Sequence, residues 1–358
     1  MSAGATRLSC VSEQSAKFPW PQASATGMGS MPGTDVVQTC RMVFGELPDL
    51  PFLPELPDRG PGADMTGRAA ALLVSMPVEI TTRGWKLAVT PGRETSLAAG
   101  YWSQDLDTLE EVAAGFTGTL KVQVCGPITL AATLELTRRL DPALADQGAL
   151  ADLTDSLAEG VAAHVADVRR RVPGATVVLQ LDEPALPAAL AGRVRTASGL
   201  NVVRALEPVI ASQRLSTVLA GPGGQARAVV HCCAPDFPFP VIAEAGATGI
   251  GFDLGLLGNA DVDPISELAD AGLGLLAGAL PTQAAQRLVS GPPLLPRETA
   301  AKVTELWRKT GLAPERMASQ LVITPACGLA GLSPAAARAA LEHCREAARI
   351  APEMIVAS

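Results

Sequence analysis

The chain has 358 residues, 48% of them apolar and 3% aromatic, with a formal charge of −8. That length suits one large domain or two ordinary ones. The acidic balance argues against a nucleic-acid partner, whose phosphate backbone calls for clustered Lys and Arg. No run of about 18 apolar residues occurs, so no transmembrane helix and no membrane partner are predicted.

The N-terminal "MSAGATRLSCVSEQSAKFPW" lacks the apolar core of a secretion signal. The seven cysteines are odd in number and spread thinly, unlike a disulfide framework, which predicts a cytoplasmic, reducing setting with free thiols. Residues 1–22 read as an irregular, mobile leader and residues 23–358 as a single domain. The proline-rich "LPDLPFLPELPDRGP" at 47–61 suits neither a regular helix nor a central strand, and reads as a long ordered loop.

Short β-prone runs then alternate with helical patterns. The predicted strands are 25–30, 76–82, 120–125, 176–182, 226–233, 248–254, 272–278 and 320–326. Helices are predicted over 152–171, 297–311 and 333–349, the last with Ser333 as N-cap before Pro334. Arg169, Arg170 and Arg171 read as a solvated face, and His164 and His343 as surface residues of their helices. Eight strands alternating with helices imply parallel βαβ units and an α/β fold, a (β/α)8 TIM barrel with an irregular N-terminal extension. An open doubly wound sheet is the alternative. No dinucleotide fingerprint supports it, since "GPGGQA" at 221–226 lacks the spacing and "GLGLLAG" at 272–278 carries its glycines inside a strand.

In the strand "ARAVVHCC", residues two apart share a face. His231 and Cys233 therefore project together and Cys232 faces away. An imidazole and a thiolate at the C-terminal rim of a barrel strand are suitable ligands for zinc. Cys327 after "LVITPA" and Asp253 closing "GIGFD" stand at other strand ends and could complete the set. The competing reading is that these cysteines pack as small hydrophobes. In "LQLDEPALP", Asp182 and Glu183 end a strand with side chains that diverge. Either could bind an ammonium group or act as a base, or cap the next helix. "CGPITL" at 125–130 and "GMGSMPGT" at 27–34 place small residues after strands, where backbone N–H groups can receive a carboxylate.

Taken together, His231-x-Cys233, Asp253, Cys327 in "PACGL" and the Asp182-Glu183-Pro184-Ala185 run resemble the catalytic barrel of the cobalamin-independent methionine synthase family. More distantly they resemble uroporphyrinogen decarboxylase-like barrels. The resemblance runs from about Thr26 to about Leu332. It implies a zinc-dependent enzyme that moves a methyl group to a thiol, homocysteine, to give methionine. His231, Cys233, Asp253 and Cys327 would ligate Zn2+, with Asp253 a shortened version of the family's usual Glu. Gly29-Ser30-Met31-Pro32, with Met28 before it, would hold the amino-acid carboxylate; Asp182 would meet the ammonium group, and Glu55 is a further pocket acid.

Two departures qualify the transfer. Family enzymes of full length carry a second barrel, for which 358 residues leave no room. The family's Asp and catalytic His after a Gly-rich strand are replaced here by Ala277 and Ala279. The implied partners are a small-molecule thiol and a methyl donor, either a folate or a corrinoid protein. The alternatives are a metal-free decarboxylase or lyase of the same superfamily, and a thiol-binding barrel that has lost catalysis.

Overall fold

A computed structural model of the protein describes residues 18–137, 141–292 and 294–356. Most of the leader, residues 1–17, thus lies outside the described residues. The strands are β1 Val78–Thr81, β2 Gly84–Leu87, β3 Thr119–Cys125, β4 Thr176–Asp182, β5 Arg227–Cys232, β6 Gly249–Asp253, β7 Gly274–Leu280 and β8 Leu321–Pro325. β3 to β8 form a six-stranded sheet in sequence order, every pair parallel. Helices cover it, and the strands are accordingly buried along almost their whole length.

Two irregular segments close the curled sheet into a TIM-barrel-like fold. Residues 24–26 run parallel to β8, with Thr26 N–H donating to Ile323 O and Ile323 N–H to Ser24 O. On the other edge Leu53 N–H donates to Lys121 O, and Lys121 N–H to Pro51 O. The two segments meet where Met31 N–H donates to Glu55 O and Glu55 N–H to Gly29 O. The second barrel position is therefore supplied by the proline-rich stretch that the sequence marks as a loop. Proline is tolerated because the N–H groups used are those of Leu53 and Glu55, while Pro51 and Pro54 fall where no donor is needed. The 76–82 run does form a strand, but it pairs antiparallel with β2 in a hairpin apart from the main sheet.

The barrel interior is layered. At its base Trp20, Leu50, Val178, Val229, Leu276 and Val322 make a small core distinct from the one between strands and helices. Trp20 is 4% exposed, stacks on Phe18, and donates its indole N–H to Ser319 O at 3.0 Å. The last residues of the predicted leader are thus a plug. This explains one in-strand glycine: a Cβ on Gly274 would lie 2.3 Å from the Trp20 ring. Above the plug the interior turns polar, with Lys121 and Gln123 on β3 and Gln180 and Asp182 on β4, all buried.

Glu183 points to the opposite face from Asp182 and caps a helix, though the preceding one. Its Oε1 accepts from Ile128 N–H at 2.9 Å. Its Oε2 accepts from Thr129 N–H at 2.8 Å and Thr129 Oγ1 at 2.7 Å, at the start of Pro127–Thr133. Ser333 caps the last helix as the sequence predicts, accepting from Ala336 N–H. The two helical histidines are not surface residues. His164 is 4% exposed, its ring 4.4 Å from that of Trp102, and burial lowers its pKa to about 3. His343 is buried against Thr299, Nε2 to Oγ1 2.8 Å.

Two stability effects are expected. Trp20→Ala should cost about 3–5 kcal/mol by opening the barrel base, measured as a lowered denaturant midpoint, whereas Leu200→Ala on the surface should leave the midpoint within about 0.5 kcal/mol. Glu183→Gln should cost about 1–3 kcal/mol, because an amide NH2 would face donors that need an acceptor; an unchanged midpoint would remove Glu183 as the cap.

Candidate active site

At the C-terminal ends of the barrel strands lies a cavity of about 310 Å³ lined by Met28, Ser30, Glu55, Pro57, Met65, Asp182, Pro184, His231, Cys233, Cys327 and Gly328. Seven of the eight residues singled out in the sequence are in this set. Parallel register brings them together: Asp182 on β4 stands opposite His231 on β5, and His231 opposite Gly251 on β6. A Cβ on Gly251 would come within 3.3 Å of the His231 side chain, so glycine leaves room for the imidazole.

Asp182 Oδ1 receives His231 Nδ1 at 2.7 Å and Gln180 Nε2 at 2.7 Å. The opposite ring nitrogen, His231 Nε2, is buried and has no hydrogen-bond partner among the described residues. A histidine held by a carboxylate through one nitrogen, with the other free, is the arrangement of metal-ligating imidazoles. Beside it Cys233 Sγ and Cys327 Sγ are 3.2 Å apart. The contact from Cys233 draws the Cys327 thiol down to about 6, against burial, and it pushes Cys233 up.

Asp253 does not join them. Its Oδ1 accepts from Gly255 N–H at 2.8 Å, opening the short 3-10 turn Leu254–Leu256. It lines a separate depression with Cys232, Asp236 and Asp261. A short carboxylate at a strand end bonds readily to its own backbone two residues on, and this bond turns it from the cavity. Among the described residues no three His, Cys, Asp or Glu side chains are gathered closely enough to hold a metal ion. The donors present, one free imidazole nitrogen and two thiols, suit zinc by type.

Around Glu55 the cavity is built from buried charge. Glu55 is 5% exposed; burial pushes its pKa up to about 7, against the pull of Arg68. Arg68 stands behind it, Nε 3.6 Å from Oε1. Arg68 is itself fixed by Asp105 and by the Trp102 ring 3.8 Å from its guanidinium carbon. Gly29, at φ +139, brings the backbone so close to Gln123 that a Cβ would lie 2.7 Å from its side chain. Met28 and Met65 add two thioether walls.

Lys121, Gln180 and Arg68 escape a motif-based reading. The first two had a signal: "LKVQVC" and "LQLD" place polar residues two apart in strands that a parallel sheet buries on both faces. On β7 no titratable side chain is present, and Ala277 and Ala279 are buried.

Residues 143–350 match the family model described as the catalytic domain of cobalamin-independent synthase. The matched span holds Asp182, His231, Cys233, Asp253 and Cys327, whereas Met28, Ser30 and Glu55 precede it. No curated protein matches the chain. Among solved structures, a B12-independent methionine synthase from Shewanella sp. W3-18-1, in complex with selenomethionine, is similar at TM-score 0.62. Its identity is 12%, over 94% of this chain and all of that one. The carboxyl transferase domain of Rhizobium etli pyruvate carboxylase follows at TM-score 0.26 and 14% identity, over 67% of this chain and 43% of that one. No helix among the described residues is long and apolar enough to cross a membrane. With its matched span exceeding half its length, the chain belongs to the family of cobalamin-independent synthase catalytic domains.

Proposed function

We propose that this protein is a zinc-dependent methyltransferase that methylates a small thiol, homocysteine, to give methionine. The observation that carries the reading is the free, buried His231 Nε2 beside the paired Cys233 and Cys327 thiols, in one cavity with Asp182, Glu55 and Ser30. His231, Cys233 and Cys327 would hold the zinc. Zinc held there would supply the positive charge that favours the thiolate form of a substrate thiol near neutral pH.

The chain's own residues do the rest. Asp182, whose Oδ2 takes no hydrogen bond among the described residues, and Glu55 accept from the substrate ammonium. Ser30 and the backbone around it receive the carboxylate, and Met28 and Met65 flank the aliphatic part. Anchoring both ends of the amino acid fixes where its sulfur stands, which aligns it with an incoming methyl group.

Because β7 carries no acid, this strand does not supply a proton to a leaving group. That favours a donor whose leaving group departs without protonation, as a corrinoid does, over a folate. Asp253, expected as a fourth ligand, caps a turn, and with three protein ligands the zinc would have room to take the substrate thiol. A second reading, thiol binding without turnover, is favoured by the same bare β7.

Three measurements test the proposal. Purified protein should carry one zinc per chain, and Cys327→Ala should lose it on dialysis; a metal-free wild type, or a variant that keeps its zinc, would sink the site. Homocysteine should be methylated by a methylcorrinoid and not by methylated folate; binding with no turnover on either donor would favour the second reading. Methionine, which has no thiol to titrate, should bind more tightly as pH rises. Glu55 must ionise to accept the ammonium group, so affinity should climb about tenfold per pH unit up to about 7 and then level off. Calorimetry on Glu55→Gln should show this slope lost.

A further inference from the structure

Lys121 lies at the centre of the barrel with no exposed surface, and an ammonium group can only donate hydrogen bonds. Its Nζ reaches Gln180 Oε1 at 2.9 Å, Gln123 Oε1 at 3.3 Å and Met28 O at 3.4 Å. The orientation of both amides follows. With Oε1 turned to the lysine, Gln123 Nε2 donates to Leu53 O at 2.7 Å. Gln180 Nε2 donates to Met28 O at 2.9 Å and Asp182 Oδ1 at 2.7 Å. Flipping Gln180 would set its NH2 against the ammonium group and its oxygen against the carbonyl and carboxylate oxygens.

Asp182 Oδ1 is thereby committed as an acceptor, and it is the same atom that meets His231 Nδ1 at 2.7 Å. A bare oxygen already receiving one N–H can accept a second but has no proton to give. Nδ1 must then carry a proton, so the neutral ring keeps a free lone pair on Nε2, in a buried position where no described residue meets it.

We propose that Lys121 is a positioning residue which, through Gln180 and Asp182, holds His231 in the tautomer protonated at Nδ1 and bare at Nε2. It also ties Met28, next to the Gly29-Ser30 turn, into the same network, so that one buried cation orders the Met28 segment and His231 together. The link to zinc rests on the function proposed above; the tautomer itself does not.

The test is ring-15N NMR of histidine-labelled, zinc-free protein. The chain has three histidines, and His164 and His343 serve as internal standards for folding. At a pH where its ring is neutral, wild-type His231 should show a single Nδ1–H tautomer. In Lys121→Met, and in Gln180→Met, its two nitrogens should move toward a mixture of tautomers while the other two histidines keep their signals. Zinc affinity should then fall by about 10–100-fold, as for other partners behind a metal ligand.

An Nε2–H tautomer in wild type overturns the proposal. So does a folded Lys121→Met whose His231 signals match wild type. If neither variant folds, the shorter Gln180→Asn, which withdraws the amide from Lys121 and Asp182, is read in the same way. The measurement uses no methyl donor and no metal, so absence of thiol methylation would refute the proposed function and leave this result standing.

Discussion

A lysine without water keeps its charge only where enough acceptors converge on it, and the upper half of this barrel is organised around that requirement. Burial pulls the Lys121 pKa down to about 8, while Asp182 and Glu55 hold it up. The acceptors it collects belong to β3, to β4 and to the segment before Ser30. Once they are turned toward the lysine, the amide donors behind them face Leu53, Met28 and Asp182. Such networks are costly when one member is missing, so the positions of Met28, Asp182 and His231 are coupled through the barrel interior.

The same interior explains why the barrel closes through irregular chain. The segment holding Ser30 must present a glycine-rich turn, and the one holding Glu55 runs through prolines. Neither could be a regular strand. Each contributes only the few backbone bonds that closure needs, at residues that retain an N–H. Rigidity is recovered from below, where Trp20 fills the barrel base, and from the side, where Arg59 and Arg68 share Asp105 behind Glu55.

Much of the site was legible because barrel architecture converts strand ends into neighbours. His231 and Cys233 share a face by the period of two, and Cys327 follows β8, from where the curl of the sheet brings its thiol to that of Cys233. Cys232 was equally legible as packing, and it is 1% exposed. The misreadings have physical causes. Asp253 stands at the right strand end, yet a two-residue backbone bond of its own captured it. His164 shares a helix face with Val161, Val165 and Val168, all buried, and the period of 3.6 carried that information. The proline-rich stretch looked like a loop because proline lacks a donor, and which donors a strand needs depends on its neighbours.

By itself the sequence determined the alternation of strands and helices from β3 to β8 and which residues sit at the ends of those strands. Those follow from local hydrophobic period and from residue types that act alone. Tertiary structure decided which segment fills the second barrel position, that Trp20 closes the base, and that Asp253 leaves the cluster. It also decided that Lys121 stands under the cavity with Asp182 as its indirect partner. Each of these turns on whether a buried polar group finds its complement in a segment distant in the chain, and no local pattern records that.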